Sequence, residues 1–231
     1  MTNSVDLVVF DIAGTTVADR GQPVHRALRE ALAEAGIAAE HASINAAMGI
    51  PKPMAIRQLM IEAGRDPLPG DIEAIDRSFV AKIKRHYESS PDVSSVEGAV
   101  ATFRALRKRG VRVALDTGFS REVTSTVVQR LGWLGPEPEI DAAISSDEVD
   151  RGRPHPDMIF ALMKRFRIAD PRRVAKVGDT PSDLEQGTSA GCKFVIGVTE
   201  GSHTAAELQG CPHTHLVANV SAVPQILGIP E

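Results

Sequence analysis

Short apolar segments alternate with amphipathic segments along most of the chain. Five or six of the apolar segments are β-branched and continuously hydrophobic, which is typical of parallel strands buried on both faces. They lie at about residues 6–10, 112–116, 141–144, 174–177, 193–197 and 214–217. Between them, apolar residues recur at helical spacing, as in Val123, Val127 and Leu131. The alternation predicts an α/β fold with a doubly wound, Rossmann-like parallel sheet.

One long stretch breaks this alternation. Residues 19–93 contain helical periodicity but no convincing strand, with Val24, Leu28 and Leu32 on one face and Ile75, Phe79 and Ile83 on another. Polar and turn-forming residues cluster at both ends of the stretch. We therefore predict an α-helical cap domain over residues 19–93, inserted into a core domain made of residues 1–18 and 94–231.

A capping-box pattern indicates where one helix of the core begins. Ser182 is followed three residues later by Glu185, shortly after the apolar segment 174–177. In such a box, the first and fourth side chains satisfy free backbone N–H groups at the start of a helix. We expect a short helix that Ser182 caps.

Charge and cysteine usage restrict the partners and the location. The 231 residues carry a formal net charge of −4, which gives no electrostatic reason to expect nucleic acid or an anionic membrane as partner. Cys192 and Cys211 fit neither a disulfide framework nor a structural zinc site. There is no apolar run of about 20 residues and no secretion-signal pattern. We expect a cytoplasmic protein that acts on a small soluble substrate.

Polar side chains of the types that serve in phosphoryl transfer follow several predicted strands. They are Asp11, Thr117, Arg153, Asp179 and Asp183. Ligands of doubly wound sheets bind at the carboxyl ends of the strands, so these side chains are expected to meet in one crevice. An aspartate there can attack phosphorus, while Mg²⁺, a hydroxyl and a cation neutralise the charge of the phosphoryl group. The set predicts an enzyme that passes a phosphoryl group to Asp11.

Four ordered motifs carry a resemblance to a known family. They are DIAGT at Asp11, TGFSR at Thr117, GRP at Gly152 and GDTPSD at Gly178. Together they resemble the motifs of the haloacid dehalogenase superfamily. Many members carry a second aspartate two positions after the first, which protonates an alcohol leaving group, whereas this chain has Ala13. Ala13 and the GRP element are similar to the phosphonatase branch.

The resemblance implies a metal site and a set of contacts. In the phosphonatase branch, Mg²⁺ is held by the nucleophile, by the carbonyl of the residue two positions later and by the fourth-motif aspartate. The matching groups here are Asp11, the Ala13 carbonyl and Asp179, with Asp183 in support. The residues that we expect at the substrate are Met48, Gly118 and Thr15.

The segment from Met48 to Lys52 resembles the part of the phosphonatase cap that carries a Schiff-base lysine. Breaking a carbon–phosphorus bond leaves a carbanion, and a protonated imine between lysine and an aldehyde supplies the electron sink. A free lysine has a pKa of roughly 10.4, so Lys52 must be desolvated or placed near other cations to act as an amine. Phosphonatases carry a histidine three positions after this lysine, where this chain has Ala55.

Two other functions are compatible with the same motifs. The first is a phosphatase of small phosphomonoesters, whose leaving group would take its proton from Asp19 or His155. The second is a binding protein that uses the fold without catalysis. In every case we expect a small phosphorylated or phosphonate ligand. The sequence leaves the oligomeric state open, with a homodimer as one option because members of the family that it resembles commonly pair through their caps.

Overall fold

A six-stranded, entirely parallel sheet forms the centre of the protein. The computed structural model describes residues 5–229, so the predicted core boundaries at residues 1 and 231 lie outside the described residues. The strand order is β3-β2-β1-β4-β5-β6. The strands are β1 (Leu7–Phe10), β2 (Arg112–Thr117), β3 (Ala142–Ser145), β4 (Val174–Gly178), β5 (Phe194–Val198) and β6 (His215–Val217). All six predicted strands are confirmed.

The described residues also form ten α-helices. They are α1 (Pro23–Glu34), α2 (His41–Ala46), α3 (Lys52–Glu62), α4 (Pro69–Ser89), α5 (Ala99–Lys108), α6 (Arg121–Arg130), α7 (Asp157–Phe166), α8 (Pro181–Ala190), α9 (Ala205–Leu208) and α10 (Val223–Ile226). Within residues 5–229, no helix has the length and hydrophobicity that crossing a bilayer requires. Cys192 and Cys211 are free thiols.

Helices cover both faces of the sheet. Val8 and Phe10 of β1 point into an apolar cluster that includes Phe103 of α5. Leu7 and Val9 of the same strand belong to a second cluster, which includes residues of α7. Because successive side chains of a strand point to opposite faces, a strand covered on both sides must be apolar throughout. The observed layers confirm the doubly wound α/β fold.

Helices α1 to α4 occupy the stretch between β1 and α5. The predicted apolar faces meet there, because α1 and α4 pack together and Leu28, Leu32, Ile75 and Phe79 are buried. No strand lies between α1 and α4, in agreement with the helical periodicity. The division of the chain into a core and a cap at residues 19 and 93 stays a prediction.

The capping box of α8 differs from the predicted one. The box is formed by Thr180 and Asp183, each accepting from the other's backbone N–H, and the helix begins at Pro181. The expected cap by Ser182 with Glu185 is therefore wrong. Proline favours the first helical position because its φ is already helical and it needs no N–H partner there, so Pro181 places the cap at Thr180.

Candidate active site

Strand register brings two acidic residues, Asp11 and Asp116, side by side at the carboxyl edge of the sheet. Phe10 at the end of β1 is in register with Leu115 of β2 and with Val177 of β4. The next residue, Asp11, therefore lies between Asp116 and Gly178, and its N–H donates to the Val177 carbonyl at 2.9 Å. In the order β3-β2-β1-β4-β5-β6, the direction of winding reverses between β1 and β4. Ligand crevices of open α/β sheets lie at such a reversal.

Asp179 is held against the turn that follows Asp11. Its Oδ1 accepts from the Thr15 hydroxyl at 2.8 Å, and its Oδ2 accepts from the backbone N–H of Ser202 at 2.6 Å. Gly14 has a φ of 86°, and a Cβ built there would collide with the Asp179 carboxylate. Only glycine permits both that conformation and that approach.

Arg153 lies fully buried beneath Asp11. Its guanidinium forms an ion pair with Asp11, donates to Asp183 Oδ1 at 2.5 Å and donates to the Asp116 carbonyl at 3.0 Å. These contacts fix the plane of the guanidinium, because its donors form a rigid fork. The structure thus brings together Asp11, Arg153 and Asp183, which sequence analysis had selected separately.

A second buried cation, Lys176, was not selected from the sequence. Its ammonium lies 2.8 Å from Asp183 Oδ1 and also forms an ion pair with Asp116. All three side chains are fully buried. The available signal was a charged residue within a buried, mainly apolar run in each of two strands, Asp116 in β2 and Lys176 in β4. Such a residue must be paired, because an isolated buried charge is very costly.

Removing the Lys176 charge should destabilise the protein strongly. We expect Lys176→Met to lower the free energy of unfolding by about 3–5 kcal/mol, because Asp116 and Asp183 lose a buried partner. Urea unfolding at neutral pH measures the change. The double variant Lys176→Met with Asp116→Leu should recover part of the loss, because it also removes one of the uncompensated carboxylates. A loss below about 1 kcal/mol in the single variant would show that the pair is not important for stability.

The charge balance of the site fits a divalent cation. The four carboxylates of Asp11, Asp116, Asp179 and Asp183 are buried together, and within residues 5–229 only two cations, Arg153 and Lys176, pair with them. Burial raises the pKa of Asp11 to about 7 against the lowering effect of Arg153, and burial also raises the pKa of Asp179 to about 6. Asp179 has no cationic partner among the described residues. Carboxylate and carbonyl oxygens are the ligands that Mg²⁺ prefers, so this donor set fits that ion.

Asp11 and Lys52 line one pocket between the sheet edge and the helices α1 and α3. The pocket is also lined by Ala13, Asp19, Val24, Met48, Gly49, Thr117, Gly118, Phe119, Thr180 and Ser202. Its free volume is only about 30 Å³, so only small groups fit while the walls are in this position.

Lys52 is buried among aromatic rings at the first position of α3. Its Nζ lies 5.8 Å from the centre of the Phe79 ring and 6.0 Å from that of Phe119, with a long 3.5 Å contact to the Ile50 carbonyl. Burial and the charge of Arg153 lower the pKa of Lys52 to about 8, although nearby acids oppose the shift. The amine is therefore far more available near neutral pH than that of an exposed lysine.

The segment before Lys52 packs directly on the core loops. A Cβ at Gly118 would lie 2.7 Å from the Ile50 carbonyl oxygen and 2.8 Å from that of Gly49. Any larger residue at position 118 would push this segment away from the pocket. The close approach of two backbones thus sets the position of Lys52 relative to Asp11.

The remaining predicted residues divide into those at the pocket and those behind it. Met48, Gly118 and Thr117 line the pocket, and the Thr117 hydroxyl accepts from the Phe119 N–H at 3.2 Å. Thr15, Arg153, Asp179 and Asp183 do not line it. The Thr15 hydroxyl donates to Asp179, and Arg153 pairs with both Asp11 and Asp183. Of the two acids considered for a phosphatase, Asp19 lines the pocket, whereas His155 is exposed outside it.

Comparison with known proteins relates the chain to one family of hydrolases. A family model described as haloacid dehalogenase-like hydrolase matches residues 5–191. A phosphonoacetaldehyde hydrolase of Latilactobacillus sakei is 28% identical over 216 residues, which cover 86% of this chain and 77% of that protein.

Solved structures share the fold over nearly the whole chain. A phosphonoacetaldehyde hydrolase-like protein from Oleispira antarctica has a TM-score of 0.81 at 18% identity, covering 98% of this chain and 92% of that chain. A predicted phosphoglycolate phosphatase from Haemophilus somnus has a TM-score of 0.76 at 18% identity, covering 98% and 99% of the two chains. At these identities the likeness shows the fold alone.

Proposed function

The chain belongs to the haloacid dehalogenase-like hydrolases, and from that premise we propose that it cleaves the carbon–phosphorus bond of phosphonoacetaldehyde. The observation that carries the proposal is that Lys52 and Asp11 line one pocket, in which Ala13 offers no proton donor. A hydrolase of phosphate esters needs an acid for its alkoxide leaving group, whereas carbon–phosphorus cleavage needs an electron sink. The relative from Latilactobacillus sakei is named as a phosphonoacetaldehyde hydrolase, which supports the proposal.

In this proposal, Lys52 supplies the electron sink by forming an imine with the substrate aldehyde. Its neutral amine attacks the aldehyde carbon, and loss of water gives a protonated imine. When the carbon–phosphorus bond breaks, its electron pair moves into the imine and forms an enamine. The aromatic side chains of Phe79 and Phe119 keep water away from Lys52, which favours the neutral amine that the first step requires.

Asp11 accepts the phosphoryl group in the same proposal. Its carboxylate attacks phosphorus, and water later hydrolyses the aspartyl phosphate. Arg153 holds the carboxylate in place and favours its ionised form, since the two side chains form a buried ion pair. Thr117 and Gly118 line the same pocket as Asp11 and would contact the phosphoryl oxygens.

We also propose that Mg²⁺ binds at this site. Asp11, the Ala13 carbonyl and Asp179 would hold the ion, and Asp183 would support them through Arg153. When bound, Mg²⁺ neutralises negative charge on the phosphoryl oxygens and so lets an anionic nucleophile approach an anionic substrate.

The small volume of the pocket suggests that it opens to admit the substrate. A free volume of about 30 Å³ is too small for a substrate with a phosphonate and an aldehyde group. In this proposal, the segment from Met48 to Lys52 moves away from the core to admit the substrate, and its return excludes water. This motion accords with a separate cap over residues 19–93. The homodimer stays one option for the oligomeric state, and the cytoplasmic location stays a prediction from the sequence.

A phosphomonoester phosphatase is the alternative. Asp19 lines the pocket and would protonate the leaving alkoxide, and the fold is shared with a predicted phosphoglycolate phosphatase. A panel assay separates the two functions. The proposal requires equal amounts of acetaldehyde and phosphate from phosphonoacetaldehyde, at a higher kcat/KM than for phosphoglycolate or other small phosphomonoesters. Efficient hydrolysis of a phosphomonoester without any acetaldehyde release would establish the alternative.

The pKa of Lys52 predicts how imine formation depends on pH. With a pKa of about 8, roughly a tenth of the Lys52 side chains are neutral at pH 7, and the fraction rises as the pH passes 8. Borohydride inactivation in the presence of acetaldehyde should therefore accelerate about tenfold from pH 6 to pH 7 and level off above pH 8. A rate that keeps rising towards pH 10 would indicate an ordinary exposed lysine.

A further inference from the structure

Asp19 lies at the junction between the first strand region and α1. An isolated bridge pairs Val17 with Ser95 just before it, and the Asp19 carbonyl accepts from the Gln22 N–H at 2.9 Å in the turn just after it. The backbone is thus fixed on both sides of the residue. Its side chain lines the pocket that contains Asp11 and Lys52.

The carboxyl group of Asp19 is not committed to any ion pair among the described residues. Its Oδ1 is buried and has no hydrogen-bond partner in that part of the chain. Burial and the charge of Asp11 raise the pKa of Asp19 to about 7, while the Val24 N–H, Lys52 and Arg26 lower it. Both protonation states are therefore present near neutral pH, as a proton-transfer group requires.

The pocket offers few other groups that could transfer a proton. Its ionisable lining residues are Asp11, Asp19 and Lys52. Asp11 is the proposed nucleophile and Lys52 the proposed amine. Ala13 and Ala55, at positions where an acid or a histidine would otherwise serve, have no proton to give.

We propose that Asp19 transfers the protons that form and hydrolyse the imine on Lys52. In the forward step, the Asp19 carboxyl gives its proton to the carbinolamine hydroxyl, which leaves as water, while the carbon–nitrogen double bond forms. After cleavage, the terminal carbon of the enamine takes a proton from solvent and becomes the methyl group of the product iminium; hydrolysis of the aspartyl phosphate returns one proton to solvent. In the later step, the Asp19 carboxylate takes a proton from the water that attacks the product iminium carbon, and the carbon–nitrogen bond then breaks to release acetaldehyde and the Lys52 amine. One proton is given and one is taken, so Asp19 returns to its starting state. This inference rests on the proposed function.

The test compares Asp19→Asn with a matched control, Asp76→Asn. Asp76 is a half-buried acid on α4 whose charge also acts on Lys52, but it does not line the pocket. Each variant is assayed for carbon–phosphorus cleavage and for hydrolysis of acetyl phosphate, whose acetate leaving group needs neither a proton nor an imine. We expect Asp19→Asn to lower the ratio of the two activities by about 10²–10⁴-fold. Asp76→Asn should change the ratio less than about threefold.

The rate of borohydride-trappable adduct formation with acetaldehyde gives a second readout. It should fall in Asp19→Asn and recover in part in Asp19→Glu, which restores a carboxyl group. An unchanged ratio and adduct rate in Asp19→Asn, with wild-type cleavage intact, would overturn the role of Asp19 alone. Absence of carbon–phosphorus cleavage by the wild type, or its persistence in Lys52→Arg, would instead overturn the proposed function. Urea unfolding of each variant identifies a loss that comes from misfolding.

Discussion

Replacing Asp11 by asparagine is expected to lower phosphate release from both phosphonoacetaldehyde and acetyl phosphate by on the order of 10⁴-fold or more. The amide has the same shape as the carboxylate but is a poor nucleophile, so no aspartyl phosphate forms. It also removes the charge that pairs with Arg153. Steady-state phosphate release, with a detection limit well below wild-type turnover, measures the effect.

The matched control for this variant is Asp6→Asn. Asp6 lies just before the opposite end of β1 and pairs with Arg173 at the surface, where such pairs contribute little to stability. Its activity should stay within about twofold of the wild type. If Asp11→Asn retained more than about a tenth of the wild-type rate while folded, another group would have to be the nucleophile.

Replacing Lys52 by arginine should separate the two halves of the proposed reaction. Arginine keeps the positive charge but does not form an imine, so carbon–phosphorus cleavage should fall by at least about a thousandfold. Hydrolysis of acetyl phosphate depends on Asp11 rather than on an imine. The ratio of the two activities should therefore fall nearly as far as cleavage itself.

Lys82→Arg provides the control for Lys52→Arg. Lys82 lies on α4 and pairs with Glu34 at 2.6 Å in a partly exposed position away from the pocket. The same substitution there should leave both activities within about twofold. Equal losses of both activities in a folded Lys52→Arg, or retention of both, would contradict a role of Lys52 that is confined to imine formation.

Much of the fold follows from local pattern. β1 and β4 are continuous apolar runs because helices cover both faces of the sheet, and their register then places Asp11 next to Gly178 and Asp179. The strand-end position of Asp11 was sufficient to select it, since the carboxyl edge of a doubly wound sheet is where ligands bind. Residues 19–93 were assigned to helices for the same kind of reason, namely periodicity without β-branched runs.

Contacts distant in sequence were harder to predict. Lys176 and Asp116 lie on strands separated by β1, and nothing in either segment specifies the other as its partner. The burial of Arg153 against Asp11 likewise depends on how distant segments pack together, which local sequence does not specify. The cap of α8 was misassigned for a local reason, because Thr180 and Asp183 also fit a capping box and Pro181 decides between the two candidates. The burial of Lys52 against Phe79 required the tertiary fold of α3 and α4.

The central claim is that Lys52 forms an imine with the substrate aldehyde in the pocket where Asp11 takes the phosphoryl group. The most direct measurement is mass spectrometry of peptides from enzyme treated with borohydride during turnover of phosphonoacetaldehyde. The account predicts loss of activity together with a reduced two-carbon adduct on Lys52, and no such adduct in Lys52→Arg. Continued cleavage under borohydride, with Lys52 unmodified, would contradict it.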